Sequence, residues 1–565
     1  MRLRKRKIYD LSPDEVFLDE KEIPGLSRER REGMIEKPIS REAFLTFSII
    51  LLFFGWILFG RVFWLQIVRG KELEQRAESN SIQTLYIEPP RGIIYDRNGK
   101  ELAFNEAYKD DLGIIRYRRV SRHPYAFSHV LGFVGDISSE DIEKEGRIAG
   151  VPEIGKSGIE QTYNDILRGK PGKQDRELNV RGTVIAEGPM IQPREGENIS
   201  LTIDAELQEA FWKTFDDTVR AHDFLGGAGV IFSINDGEIL SLVSLPSFDV
   251  NAFSRGLEPK EAKEIFSDGR APIFNRALSG AFAPGSTIKP FLALAALEER
   301  VIDPNRQLYS SGALTIPDPF RKGAVSRFGD WRAHGFVDMR RAIAVSSNVY
   351  FYTVGGGYED ITGLGVSRIK LWLNRFGFDG TTGIDILGER AGFLPDPEWK
   401  KTAHPENPIW RIGDTYHISI GQGDVLVTPL GIARGLAMIA TGGKKITPHL
   451  LKKNVPVVEN YLPINPVNYS IVREGMFGVT RPGGTASSLG SFPFSIAGKT
   501  GSAETSAEQR THSWFIGYAP YENPRIGIVV FLESGPRANS VGAVHVVSEI
   551  FRWIQEHEEN NILVR

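Results

Sequence analysis

"GAFAPGSTIKPFLALAALEE", residues 280–299, opens with small residues and proline and ends as an uninterrupted helix former. Proline is tolerated in the first turn of a helix, where its missing N–H would have had no partner, and is costly deeper inside. Pro290 therefore predicts a helix that starts near Gly285 or Ser286. Ser286 and Lys289 then lie one turn apart on one face, at the end where backbone N–H groups point outward. A hydroxyl is a weak nucleophile unless a base takes its proton. A lysine amine serves as that base only if burial or a nearby cation lowers its pKa from about 10.4 toward about 7–8, a penalty of about 4 kcal/mol on the ammonium form. N–H groups at the same helix start can stabilise an oxyanion, an effect worth about 10²–10³ in rate per donor. The junction has the parts of an acyl-transfer nucleophile. Taken alone, it reads more simply as an N-cap serine beside a surface lysine. A phosphate-binding loop is excluded, because Ser286-Thr287 follow Gly285 where a Lys-Ser/Thr pair is needed.

The wider chain decides between these readings. A Ser-x-x-Lys nucleophile works with a Ser-x-Asn and a Lys-Thr/Ser-Gly, in that chain order. Each pattern occurs twice: at Ser286/Lys289 and Ser367/Lys370, at Ser233/Asn235 and Ser346/Asn348, and at Lys156-Ser157-Gly158 and Lys499-Thr500-Gly501. Only Ser286, then Ser346, then Lys499 run in order. Ser367 lies on "SRIKLWLNRF", an ordinary amphipathic helix, and no Ser-x-Asn follows it. In "RAIAVSSNVYFYTVG", Ser346 and Asn348 fall between an apolar approach and an aromatic helix, where a loop projects both into a cleft. "FSIAGKTGSAE" reads as a strand of small residues along whose edge an extended peptide can pair. Lys499 there adds positive charge for a substrate carboxylate and is expected to help depress the pKa of Lys289.

The chain has 565 residues, enough for two to four domains, and a formal net charge of −3 with 25% charged residues. That balance points away from nucleic acid and from a disordered polyanion. Cysteine is absent, which excludes disulfides, thiolate catalysis and cysteine-held metals. From Ala43 to Gly60, "AFLTFSIILLFFGWILFG" carries no charge, and apolar character resumes after Arg61 as "VFWLQIV" to Val68. One membrane-spanning helix is predicted over 43–68, preceded by a Lys/Arg-rich tail, 1–42, on the cytoplasmic side. The large remainder is placed outside the cytoplasm. No small-x-small cleavage site follows the apolar run, so an anchor fits better than a cleaved signal peptide.

After the span, residues 69–203 read as a strand-and-turn module, with Asn98-Gly99 a tight turn in "PPRGIIYDRNGKELA". Nothing in it gathers acids, bases or ligands. Residues 204–565 change texture. A helical pattern leads into a hairpin around Asn235-Asp236-Gly237, a helix-rich middle follows, and a second hairpin precedes the amphipathic "SVGAVHVVSEIFRWIQEH". Early and late strands enclosing a helical centre predict one antiparallel sheet flanked by helices, an α+β fold.

The ordered motifs resemble the penicillin-binding proteins, over Pro89 to the C-terminus. "PPRGIIYDRNGKELA" and "GKSGIEQTYNDILRGKPG" are similar to the pedestal (dimerisation) domain of the class B group, and "WRIGDTYHISIGQGDVLVTPL" (410–430) resembles its elongation type, with the division type next. The resemblance implies a β-lactamase-like transpeptidase fold and peptidoglycan D,D-transpeptidation, inhibited by β-lactams. It implies that Ser286 attacks the penultimate D-alanine carbonyl of a stem peptide ending in D-Ala-D-Ala, with Lys289 as base. Ser346 relays a proton, Asn348 holds the substrate amide, and Lys499 and Thr500 meet the terminal carboxylate. Gly501 belongs to the substrate-binding strand, and the N–H groups of Ser286 and Ser502 form the oxyanion hole. Ser502 stands where many relatives have threonine, a harmless change for a backbone donor. The resemblance also implies location in the bacterial inner (cytoplasmic) membrane and a RodA-type glycosyltransferase partner.

Neither a cofactor nor a metal is expected. Asp330, His334 and Asp338, on the approach to Ser346, are the one group with any cation-binding character, and His512 reads as structural. A serine β-lactamase would use the same motifs but calls for no anchor or pedestal. A bifunctional glycosyltransferase–transpeptidase would need a further catalytic domain. A non-enzymatic penicillin-binding receptor or scaffold stays open.

Overall fold

The computed structural model describes residues 40–73, 82–110, 113–145, 150, 153–179, 183–318, 323–452, 458–505, 507 and 509–557. Most of the predicted cytoplasmic tail lies outside the described residues. The chain divides into two units, Met1–Gln83 with Arg176–Glu187, and Thr84–Asp175 with Gly188–Arg565.

In the first unit, a helix runs over Arg41–Phe63 and closes in a π-helical turn, Trp64–Val68. Ser40 caps its start, accepting from the Ala43 N–H at 3.2 Å. The 28 residues Arg41–Val68 are long and apolar enough to cross a membrane, and no residue of Arg41–Phe63 is buried. Near the end of the apolar run, Trp64 has the guanidinium groups of Arg61 and Arg69 at 4.8 and 5.2 Å from its ring. Such an aromatic–cationic end suits the interface of a bilayer.

In the second unit, the Asn98-Gly99 turn joins the antiparallel strands Ile94–Tyr95 and Glu101–Lys109. The Asp96 carboxylate accepts from the Asn98 and Lys100 N–H groups, both at 2.8 Å, which sets the turn. Glu160, from the short helix Gly158–Thr162, is buried and bridges Arg91 (2.8 Å) and Arg119 (2.6 Å). That network ties together the two segments that carried the pedestal resemblance.

The C-terminal part of the second unit is built on five antiparallel strands. Its labelled elements are α1 (Ala205–Ala221), β1 (Gly226–Ser233), β2 (Ile239–Leu245), α2 (Lys289–Glu298), α3 (Met339–Val345), α4 (Asn348–Gly356), α5 (Pro429–Thr441), α6 (Pro466–Val479), β3 (Ala497–Glu504), β4 (Arg510–Ala519), β5 (Ile526–Pro536) and α7 (Ala543–Glu556). The strand order is β2-β1-β5-β4-β3, so the first hairpin and the last share one sheet, as expected. Asp204 caps α1 by accepting from the Glu206 and Leu207 N–H groups. Leu207, Phe211, Phe215 and Val219, spaced by four, put one apolar face of α1 into the core. A Cβ at Gly229 would lie 2.4 Å from the Phe211 ring, so the glycines of β1 let α1 approach closely. α1 and α7 contact each other, with α1 on β2 and α7 on β4 and β5; α5 packs on β1, β4 and β5. Nearly every residue of α5 is buried, whereas α7 buries only Ala543, Val546, Val547, Ile550, Phe551 and Ile554. The hydrophobic core runs without a break from Ile94 and Leu102 to Ile554. β3 is left at the edge of the sheet.

Candidate active site

Ser286 sits half-buried on a 3-10 turn, Gly285–Ile288, that leads directly into α2. Pro290 occupies the first turn of α2, as its missing N–H requires. Ser286 is not the cap of this helix, so the simpler reading of the fragment falls. The turn is clamped from three sides. Gly285 N–H donates to the Gly421 carbonyl at 2.9 Å, Phe282 and Val427 exchange backbone bonds of 2.9 Å, and Trp514 Nε1 donates to the Ala283 carbonyl at 3.0 Å. Gly285 has φ +53°, and a Cβ there would stand 2.4 Å from the Ser502 carbonyl oxygen; one at Gly421, φ +73°, would stand 2.2 Å from the Gly285 oxygen. Only glycine fits such left-handed, crowded positions. The turn is thereby pressed against β3 at Ser502.

Lys289, one turn on, is fully buried. Its Nζ lies 2.8 Å from the Ser346 carbonyl oxygen, 2.7 Å from Asn348 Oδ1 and 3.3 Å from Ser346 Oγ. Lys499 of β3 is equally buried, and its Nζ donates to Ser346 Oγ at 2.8 Å and to the Thr500 carbonyl at 2.9 Å. The Ser346 hydroxyl thus stands between the two amines. It is placed there by an abrupt junction: Ser346 ends α3 in the left-handed region, φ 59°, and Ser347 caps α4 in the next step. Along β3, Lys499 pairs with Ile516 of β4, Thr500 with Phe515 and Gly501 with Trp514. Alternation turns Lys499 and Gly501 toward the nucleophile turn; a Cβ on Gly501 would meet the Pro284 oxygen at 2.8 Å. Thr500 Oγ1 shares a 2.7 Å hydrogen bond with Thr485 Oγ1.

Burial lowers the Lys289 amine from 10.5 to about 7, with the Asp330 carboxylate opposing the fall. Burial and the neighbouring Lys289 charge push Lys499 well below its ordinary value. The sequence expectation gave Lys499 a share in the Lys289 shift; desolvation supplies it, and the repulsion falls on Lys499. A neutral amine keeps two N–H donors and one lone pair. For Lys289 the Ser346 carbonyl and Asn348 Oδ1 accept only, so both donors are used and the lone pair is left for a hydroxyl. That is the state a general base needs.

The expected residues therefore come together on three segments, while the second copies of each motif do not. Lys370 pairs with Asp396 at 2.5 Å, Ser233 ends β1 at the first hairpin, and Lys156 bonds Asp141. His512 is structural: its Nδ1 accepts from the Ser534 N–H at 3.1 Å. Asp338 caps α3, accepting from the Arg341 N–H at 2.8 Å, whereas Asp330 turns to Ser347. Among the described residues no three His, Cys, Asp or Glu side chains converge as metal ligands. Two participants escaped the sequence reading. Thr485 lies in "RPGGTASS", whose only signal is a Gly-Gly turn. Asp330 was noted only within a group of some cation-binding character; its hydrogen-bond donors are hydroxyls and backbone N–H groups, with His334 beside it.

A penicillin binding protein transpeptidase domain model matches residues 227–554, and a penicillin-binding protein dimerisation domain model matches residues 113–201. The chain belongs to the penicillin-binding protein transpeptidase family. It is 31% identical to the peptidoglycan D,D-transpeptidase MrdA of Escherichia coli K12 over 619 residues, 92% of this chain and 94% of that one. The Haemophilus influenzae protein of the same name is 31% identical, covering 95% of this chain and 93% of its own. Among solved structures, Pseudomonas aeruginosa PBP2 in complex with WCK 5153 superposes with a TM-score of 0.71 at 30% identity, over 84% of this chain and 98% of that one. The complex of Helicobacter pylori PBP2 with MreC gives 0.71 at 25% identity, over 84% and 99%. The family match covers both the strand-rich module and the catalytic half of this penicillin-binding protein. The mixed α+β architecture read from the sequence stands.

Proposed function

We propose that this chain is a peptidoglycan D,D-transpeptidase of the elongation type in which Ser286 forms the acyl-enzyme. The observation that carries the reading is the pair of buried lysines that meet on the Ser346 hydroxyl, one helical turn from a half-buried serine. Neutral Lys289 takes the Ser286 proton as Oγ attacks the penultimate D-alanine carbonyl. The oxyanion is met by the N–H groups of Ser286 and Ser502, a pairing supported by the close approach of the Gly285 turn to the Ser502 backbone. The C–N bond breaks, D-alanine leaves with a proton relayed through Ser346, and an amine of a neighbouring stem takes the acyl group. Asn348 holds the donor amide, and the donor backbone lies along the open edge of β3, beside Gly501. Lys499 and Thr500 receive the terminal carboxylate. An arriving carboxylate favours the ammonium form of Lys499 and so offsets its burial. β-Lactams acylate the same hydroxyl.

In this reading residues 1–42 are a cytoplasmic tail, 43–68 cross the inner membrane of a bacterium, 69–203 form the pedestal and 204–565 the catalytic domain outside. A RodA-type glycosyltransferase, contacted by the span and the pedestal, supplies the glycan strands. The relatives named MrdA and the PBP2–MreC complex support the elongation role.

Labelled penicillin tests the reading. A long-lived adduct on the parent protein, absent in Ser286→Ala, is expected, as is crosslinking of lipid-linked donor strands. An adduct persisting in Ser286→Ala overturns the assignment. Rapid drug turnover points to a lactamase, and an adduct without crosslinking to a receptor.

A further inference from the structure

Asp330 follows the strand Val325–Gly329, and its side chain is 0% exposed. One oxygen, Oδ2, accepts from Ser347 Oγ at 2.9 Å, from the Val349 N–H at 3.1 Å and from Ser310 Oγ at 3.2 Å. The other, Oδ1, accepts from the Trp331 N–H at 3.0 Å and faces His334 Nε2 at 3.4 Å. Apart from the Trp331 N–H next in the chain, these donors come from the strand Leu308–Ser310, from the α3–α4 junction and from the first turn of α4. The junction is the one that presents the Ser346 hydroxyl and carbonyl and the Asn348 amide to Lys289. A buried carboxylate with several donors is costly to move, because every donor would lose its partner at once.

Charge repeats the message of geometry. Burial pushes the Asp330 carboxyl up, but the Asn348 and Val349 N–H groups, the Lys289 ammonium and the Ser347 hydroxyl outweigh it and hold it below its ordinary value. The charged and titratable groups around the pair are Lys289 and Lys499, His334 with Arg332 behind it, and Tyr352 of α4. Burial lowers His334, which leaves it neutral at neutral pH. The Phe351 ring, 5.5 Å from Lys289 Nζ, adds an uncharged wall.

We infer that Asp330 is a positioning residue for acyl transfer: it clamps the Ser346–Asn348 turn onto Lys289 and sets a fixed negative charge beside the two buried amines. The inference rests on the nucleophile reading above. It separates two effects that one variant alone would mix. Asp330→Asn keeps an acceptor for Ser347 but removes the charge. Ser347→Ala removes a clamp bond and leaves the charge.

Acylation by labelled penicillin is followed from pH 5 to 9 on the full chain in detergent micelles, with thermal unfolding as the check on folding. A negative charge favours the ammonium, so its loss frees the Lys289 amine at lower pH. Asp330→Asn is expected to move the acid limb down by about one pH unit, the size of a nearby-charge effect. Ser347→Ala is expected to lower the plateau several-fold and leave the limb in place. An Asp330→Asn limb that coincides with the parent's, or moves up, overturns the inference. If Asp330→Asn gives no cooperative unfolding transition, Ser347→Ala and Ser310→Ala decide: lowered plateaus support the clamp, and unchanged plateaus in both overturn it. A parent that never acylates removes the nucleophile reading and this inference together. An acylating parent with an unmoved limb removes only the inference.

Discussion

The acylation rate should follow the free amine of Lys289. Its pKa falls from 10.5 to about 7 through burial. At pH 7 about half of the molecules then carry a free amine, against about one in 3,000 for an unshifted lysine. The difference of about 3.5 pKa units corresponds to about 5 kcal/mol between the two protonation states. The rate constant for acylation by a fluorescent penicillin, measured by stopped-flow between pH 5 and 9, should rise about tenfold per pH unit up to pH 7 and then level off. From pH 5 to the plateau the gain is about a hundredfold. Burial first, and then the neighbouring Lys289 charge, also hold Lys499 well below its ordinary value. Lys289→Arg keeps the positive charge but has no free base at any of these pH values, and should lose at least about 10³ in rate. A rate that is flat to pH 5, or a limb centred near 10, or a Lys289→Arg variant acylating at the parental rate would refute the role of burial in making this amine a base.

Three further outcomes follow from the same geometry. Between about 7 and 10.5 the folded state binds fewer protons at Lys289 than the unfolded chain does, so stability should rise with pH across that window and be lowest below it. Lys289→Met should flatten that rise, by about 1.4 kcal/mol per pH unit, in denaturant melts compared at pH 7.5 and 9.5. Gly421→Ala should displace the nucleophile turn, since its Cβ would lie 2.2 Å from the Gly285 oxygen at φ +73°; an acylation rate within twofold of the parent would contradict the clamp. Glu160→Ala leaves Arg91 and Arg119 facing a lost partner and should cost about 3–5 kcal/mol, read as a large fall in the thermal midpoint.

The chain by itself determined the order of the three motifs, the two hairpins that frame the catalytic half, and the apolar span. These rest on local rules: proline in a first helical turn, Asn-Gly and Asn-Asp-Gly turns, and the periodicity of one helix face. Ser286 and Lys289 were legible because one helical turn fixes their relation. Tertiary structure decided everything that depends on segments far apart in the chain. Lys289 meets Asn348 across 59 residues and Lys499 meets Ser346 across 153, so the seat of the lysine pair is set by packing alone. The source of the Lys289 shift lay there too, because desolvation is a property of the packed cleft and no spacing encodes it. Asp330 was visible as a residue but not as a clamp. Its partners, Ser310, Ser347 and Val349, share no motif with it; they are donors that the folded backbone happens to aim at one carboxylate, and hydrogen bonds of that kind leave no period in a sequence.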